Sequence, residues 1–177
     1  MAVPSLSALK AGHVDSVVLQ ELQIDSLLAM QRAIFAANKL PTLPPKLVQL
    51  PLKWGELPTD LSVDIGLLIA ADCLYEKNDF ADLVATAAYL MNRNPGVPFV
   101  MCYQDRNLLY SIDELFEHWG LKSELIPLDS FHFNAQNFAA NNDMKIVDEF
   151  PIEDTDKVLV MLEIRRNEEP FTFAANK

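Results

Sequence analysis

Four short stretches of this chain place polar or aromatic groups directly after apolar runs: Glu21, Lys53-Trp54-Gly55, Asp72-Cys73-Leu74-Tyr75 and Tyr103-Gln104-Asp105-Arg106. Where such runs form parallel strands of an open α/β sheet, ligands bind outside their carboxyl ends. An acidic side chain there, such as Glu21, can accept both hydroxyls of a ribose. Taken alone, it also reads as a solvated strand end, because loops are commonly polar. Trp54 can stack on a heteroaromatic ring or simply pack beside Gly55. Asp72 and Tyr75, three residues apart, can orient an amine, while Asp72 can instead cap the next turn.

Other chemistries find less support. His13, His118 and His132 stand far apart and none belongs to a short ligand pair, so a zinc site is not expected. Cys73 adjoins Asp72, but no histidine is placed to activate it, and buried thiols are common. No Gly-x-Ser-x-Gly elbow is present, which leaves serine hydrolase chemistry unsupported. The five glycines never stand as Gly-x-Gly, which excludes an intact glycine-rich nucleotide loop within these residues.

These positions need elements to hold them. Pro4 begins a short helix that Gly12 closes, with proline first and glycine last. Residues 24–38 carry Leu27, Met30, Ile34 and Phe35 at mostly helical spacing. Phe80, Leu83, Val84, Ala87 and Met91 mark one face of a helix beginning near Asp79. Ser111 and Glu114 form a capping box, ahead of the stripe Ile112, Leu115, Phe116 and Trp119 that Gly120 ends. Parallel strands are predicted at residues 17–19, 47–50, 65–71 and 98–103, with further strands at 123–128 and 158–164. Residues 65–71 are apolar on both faces, as in a central strand covered by helices. Pro51 makes the 47–52 run an edge. Strands alternating with helices predict an α/β protein with a mainly parallel sheet.

The 177 residues suggest one domain, with residues 1–166 folded and 167–177 a tail. A formal net charge of −11 makes nucleic acid a poor partner and suits a basic protein substrate. Two cysteines cannot build a disulfide scaffold, and no apolar stretch approaches the roughly 20 residues that cross a bilayer. A reduced cytosolic or nuclear protein is the simplest expectation, with no membrane association.

Residues 3–22 resemble the stretch that follows the glycine loop in seven-β-strand methyltransferases. More narrowly, they are similar to the methyltransferase-like group that modifies protein lysines and arginines. That group carries a tryptophan-glycine pair after its third strand and an acidic-x-x-aromatic motif after its fourth. Here stand Leu52-Lys53-Trp54-Gly55 and Ala71-Asp72-Cys73-Leu74-Tyr75. Residues 79–86, 103–106, 118–122 and 126–131 resemble one branch of it, and the likeness runs over about residues 3–165. It implies a Rossmann-like sheet and S-adenosylmethionine as cofactor. By the same resemblance Glu21 takes the cofactor ribose, Trp54 and Gly55 wall the adenine, and the backbone near Ala71 lies beneath the cofactor. Asp72 and Tyr75 fall at the substrate end, where a carboxylate and an aromatic wall suit a cationic side chain losing its proton. The implied substrate is a protein, with histones and chaperones as candidates and arginine ahead of lysine.

One departure bears on activity. In the group a central strand and glycine loop come first, and here Met1-Ala2 stand where that loop would end. The expectation is two inner strand edges, at residues 17–19 and 65–71, and weak or no turnover by residues 1–177. Two hypotheses follow: a protein methyltransferase, or a catalytically silent relative that binds a protein partner without cofactor.

Overall fold

A computed structural model describes residues 3–21, 25–37, 39, 47–57, 64–74, 76–105, 112–127, 145–146 and 158–167. The chain divides into two compact units, Met1–Glu56 and Leu57–Lys177.

The first unit begins with α1, Val3–Lys10. Its end is a Schellman motif: Gly12, at φ 74, donates to the Leu9 carbonyl, and His13 donates back to Ala8. The strand β1, Val17–Glu21, pairs in parallel with β2, Leu47–Pro51, in the register Val17↔Leu47 to Glu21↔Pro51. Between them runs α2, Asp25–Ala37, with Asp25 in its first turn, where the helix dipole favours an acid. Alternation along β1 buries Val17 and Leu19 with Phe35 of α2, and Leu9, Val14 and Ile34 pack against that cluster. Two hydrogen bonds of the Gln49 side chain tie α2 to β2: its Nε2 donates to Gln31 Oε1 at 2.8 Å, and its Oε1 accepts from Arg32 Nε at 3.0 Å. Gln31 is thereby satisfied although buried. On the opposite face the register partners Val18 and Val48 stay exposed.

The second unit comprises β3 (Leu68–Ala71), α3 (Lys77–Arg93), β4 (Phe99–Asp105), α4 (Asp113–His118), β5 (Leu121–Leu125), β6 (Lys145–Ile146) and β7 (Val158–Arg166). Its sheet has the order β3-β4-β7-β5, with β6 on β7. The β3–β4 pair is parallel, whereas β7 runs antiparallel between β4 and β5. Leu83, Val84, Ala87, Ala88 and Met91 of α3 are buried, as are alternate residues of β4 and β7 (Phe99, Met101, Tyr103; Val160, Leu162, Ile164). Thr86 sits within that apolar face because its hydroxyl donates to the Asp82 carbonyl at 2.7 Å. Strands, helices and parallel pairs together make the expected Rossmann-like α/β fold, with the four strands expected to be parallel found in the parallel pairs β1–β2 and β3–β4, and β7 adding antiparallel pairing to β4 and β5.

Several boundaries differ from expectation. Residues 65–71 do not form a central strand covered on both faces. The strand is Leu68–Ala71 at the end of its sheet, with Leu67 and Ile69 exposed at 43% and 42%. The reason is a partner distant in sequence. The Asn94 side chain, which caps α3 by donating to Leu90 O, accepts the Ile65 N–H at 3.0 Å and draws residue 65 out of the ladder. Strand β5 begins at Leu121 rather than 123, because Gly120 at φ 65 turns the chain straight into pairing. The cap of α4 is Ile112, without a side-chain bond, and Ser111 lies outside the described residues. Strand β6 was not legible in the sequence. Among the described residues β1 pairs only with β2 and β3 only with β4, the two strands whose inner edges the resemblance singles out.

Candidate functional site

At the carboxyl end of β1–β2, Glu21 closes β1 opposite Pro51. The chain then makes a tight turn. Glu56 N–H donates to the Lys53 carbonyl at 3.1 Å, and Gly55 takes φ 82, a left-handed value that glycine adopts without steric penalty. Lys53 and Glu56 face each other at 3.7 Å as an exposed pair, which contributes little to stability. The turn fixes the backbone of Trp54, and Gln20 fixes its ring: the indole Nε1 donates to Gln20 Oε1 at 3.0 Å. The same amide donates through Nε2 to the carbonyl of buried Leu52. Trp54 is half-buried. With its N–H engaged, what the indole still offers is a π face.

The second set stands at the carboxyl end of β3. Ala71 is the last paired residue, opposite Cys102. Asp72 follows at φ 51 and donates its N–H to the Cys102 carbonyl at 2.7 Å, adding one bond beyond the ladder. Cys73 Sγ lies 3.6 Å from the Ala71 carbonyl, and Leu74 is buried, anchoring the segment after the strand. Asp72 itself is exposed. Burial first, and then the Asp72 charge, push the Cys102 thiol above its ordinary range. That makes Cys102 a poor nucleophile at neutral pH.

The structure thus brings Glu21, Trp54 and Gly55 to the carboxyl end of the β1–β2 pair, and Ala71 and Asp72 to the carboxyl end of β3 in the β3–β4 pair. Tyr75 lies outside the described residues. Gln20 was missed by sequence reasoning; its only signal is its place beside Glu21, since its partners lie 32 and 34 residues away. Among the described residues no three histidine, cysteine or acidic groups gather to hold a metal, and no helix is long and apolar enough to cross a membrane.

The fold is that of a Rossmann-like methyltransferase, and the chain belongs to the lysine methyltransferase family, whose model matches residues 8–117. That span contains all six candidate residues. The human histone-arginine methyltransferase METTL23 is 29% identical over 141 residues, covering 78% of this chain and 72% of that protein. The Xenopus laevis protein of the same name is 37% identical over 82 residues, 45% of this chain and 35% of that protein. The mouse one is 30% identical over 142 residues, 78% of this chain and 54% of its own length.

Proposed function

We propose that this chain is an S-adenosylmethionine-dependent protein methyltransferase acting on an arginine side chain, with a histone as the first candidate substrate. The single observation that carries the reading is the Trp54 indole held by Gln20 next to Glu21 at the end of a parallel strand pair. The residues present fit an adenosyl group. The Glu21 carboxylate is the type of acceptor that takes two ribose hydroxyls, and a tryptophan whose N–H is already bonded has its face left for the base. When bound, S-adenosylmethionine supplies an electrophilic methyl group on a sulfonium.

What remains for the protein is positioning, because in-line transfer to nitrogen needs the acceptor held and deprotonated rather than elaborate acid–base chemistry. Asp72 and Tyr75 take that role in this reading. A carboxylate matches a guanidinium fork, and its charge helps the departing proton. The net charge of −11 favours encounter with a basic tail. The matching family is described by lysine, and the relatives named above by histone arginine; the likeness to the human and mouse relatives over 78% of the chain supports arginine as the first choice. With a histone as substrate, the nucleus or the cytosol is the compartment proposed for its work.

The test is transfer of a radiolabelled methyl group from S-adenosylmethionine to core histones by residues 1–177, followed by hydrolysis and separation of methylarginine from methyllysine. Methylarginine is expected to form slowly, since residues 1–177 hold no Gly-x-Gly loop, with Asp72→Asn slower again by about 100-fold or more. Methyllysine alone would overturn the choice of arginine. Histone binding without cofactor binding or transfer would establish the silent relative instead.

A further inference from the structure

We infer that Gln20 is the positioning residue for the Trp54 indole, an inference that rests on the proposed cofactor reading. An indole N–H can only donate, and a backbone carbonyl can only accept. A single side chain that satisfies both must therefore carry an acceptor and a donor together, which a primary amide does. Gln20 accepts from Trp54 Nε1 at 3.0 Å and donates to the Leu52 carbonyl, so the partners themselves fix which end of the amide is oxygen.

The placement follows from the register. Gln20 sits opposite Leu50, and β1–β2 pairing stops at Glu21↔Pro51, so the Leu52 carbonyl lies beyond the ladder and takes its bond from the Gln20 side chain. The turn at Lys53–Glu56 holds the Trp54 backbone, and the Gln20 amide then stops rotation of the ring. A ring held in this way stacks without losing side-chain freedom on binding.

The chain has two tryptophans, so a Trp119→Phe background isolates the fluorescence of Trp54. In that background Gln20→Met keeps the side chain's length and removes both amide functions. Its Trp54 anisotropy is expected to fall, and the Kd for S-adenosylhomocysteine to rise about tenfold. On a Trp54→Phe background, read by calorimetry, Gln20→Met is expected to add less than about twofold, because the N–H it served is gone. General loosening would weaken binding equally on both backgrounds, and that result would overturn the positioning role. So would Gln20→Met binding like the parent while Trp54→Ala loses affinity, an outcome that leaves the cofactor reading intact. Trp54→Ala binding like the parent, or a parent that never saturates, would overturn the cofactor reading and the positioning role together. Should Gln20→Met fail to fold, Gln20→Leu removes the same two amide functions; its Trp54 anisotropy is expected to fall, and the parent's anisotropy in that variant would overturn the inference.

Discussion

Replacing Asp72 by alanine, glycine and asparagine separates what its backbone does from what its carboxylate does. The residue stands at φ 51, and its N–H is bonded to the Cys102 carbonyl, so the backbone cannot swing to negative φ without losing that bond. The left-handed region costs most L-residues about 1–2 kcal/mol, with Asp and Asn tolerating it best. Glycine escapes that penalty and loses about 0.5–1 kcal/mol in backbone entropy instead. Asp72→Asn and Asp72→Gly are therefore expected within about 0.5 kcal/mol of the parent, and Asp72→Ala about 1 kcal/mol less stable. At a urea slope of about 2 kcal/mol/M, that difference moves the midpoint by about 0.5 M. All three remove the negative charge that helps raise the Cys102 thiol, so in a Cys73→Ser background each should speed its reaction with an aromatic disulfide reagent at pH 8. The paired measurement is urea denaturation and thiol kinetics on the same three proteins. An alanine variant as stable as the glycine one would refute the backbone constraint; unchanged thiol rates in all three would refute the electrostatic reach of Asp72.

Two further outcomes follow from single positions. Lys39 takes φ 54 just beyond α2 and donates its N–H to the Ala36 carbonyl, a conformation glycine prefers at a helix end. Lys39→Gly should raise stability by about 0.5–1 kcal/mol, seen as a higher urea midpoint. The Cys102 thiol, raised in the folded state above its ordinary 9.0, keeps its proton where the unfolded chain releases it. Its contribution is complete below pH 9 and is lost as pH rises towards the folded value, so the parent should lose more stability between pH 8.5 and 10.5 than Cys102→Ala does.

Elements with strong periodicity were legible. The stripe Leu83, Val84, Ala87 and Met91 is buried in α3, residues 98–103 lie almost wholly within β4, and Gly12 closes α1 as its position suggests. What escaped depended on distant partners. Strand β6 is two residues long and exists only as pairing with β7, so it leaves no period to read. The shortening of β3 depends on Asn94, which reaches back 29 residues to Ile65. The candidate positions were visible because polar groups break the pattern where strands end, whereas Gln20 is a polar residue inside a strand, at a position alternation would assign to solvent. Its role is set by the partner strand's continuation.

The β1–β2 and β3–β4 pairs end in a comparable way, and that bears on how such a protein would work. In each, one hydrogen bond is added beyond the last ladder pair: the Gln20 amide takes the Leu52 carbonyl, and the Asp72 N–H takes the Cys102 carbonyl. Neither bond involves a reacting group, yet each fixes the backbone next to a residue assigned to the chemistry. Methyl transfer draws mainly on alignment, and a misplacement of about 1 Å can lower the rate about 100-fold. The orienting side chains need not be strong acids or bases for this, but they must leave the sheet in a fixed direction. At β2 that direction is imposed by a glycine corner and a side-chain amide, and at β3 by a left-handed aspartate. Substitutions of Gln20, which release the device at β2, should therefore impair function while leaving every group that could touch substrate in the chain. That separates them from substitutions of Glu21 or Tyr75, which would remove a contact outright.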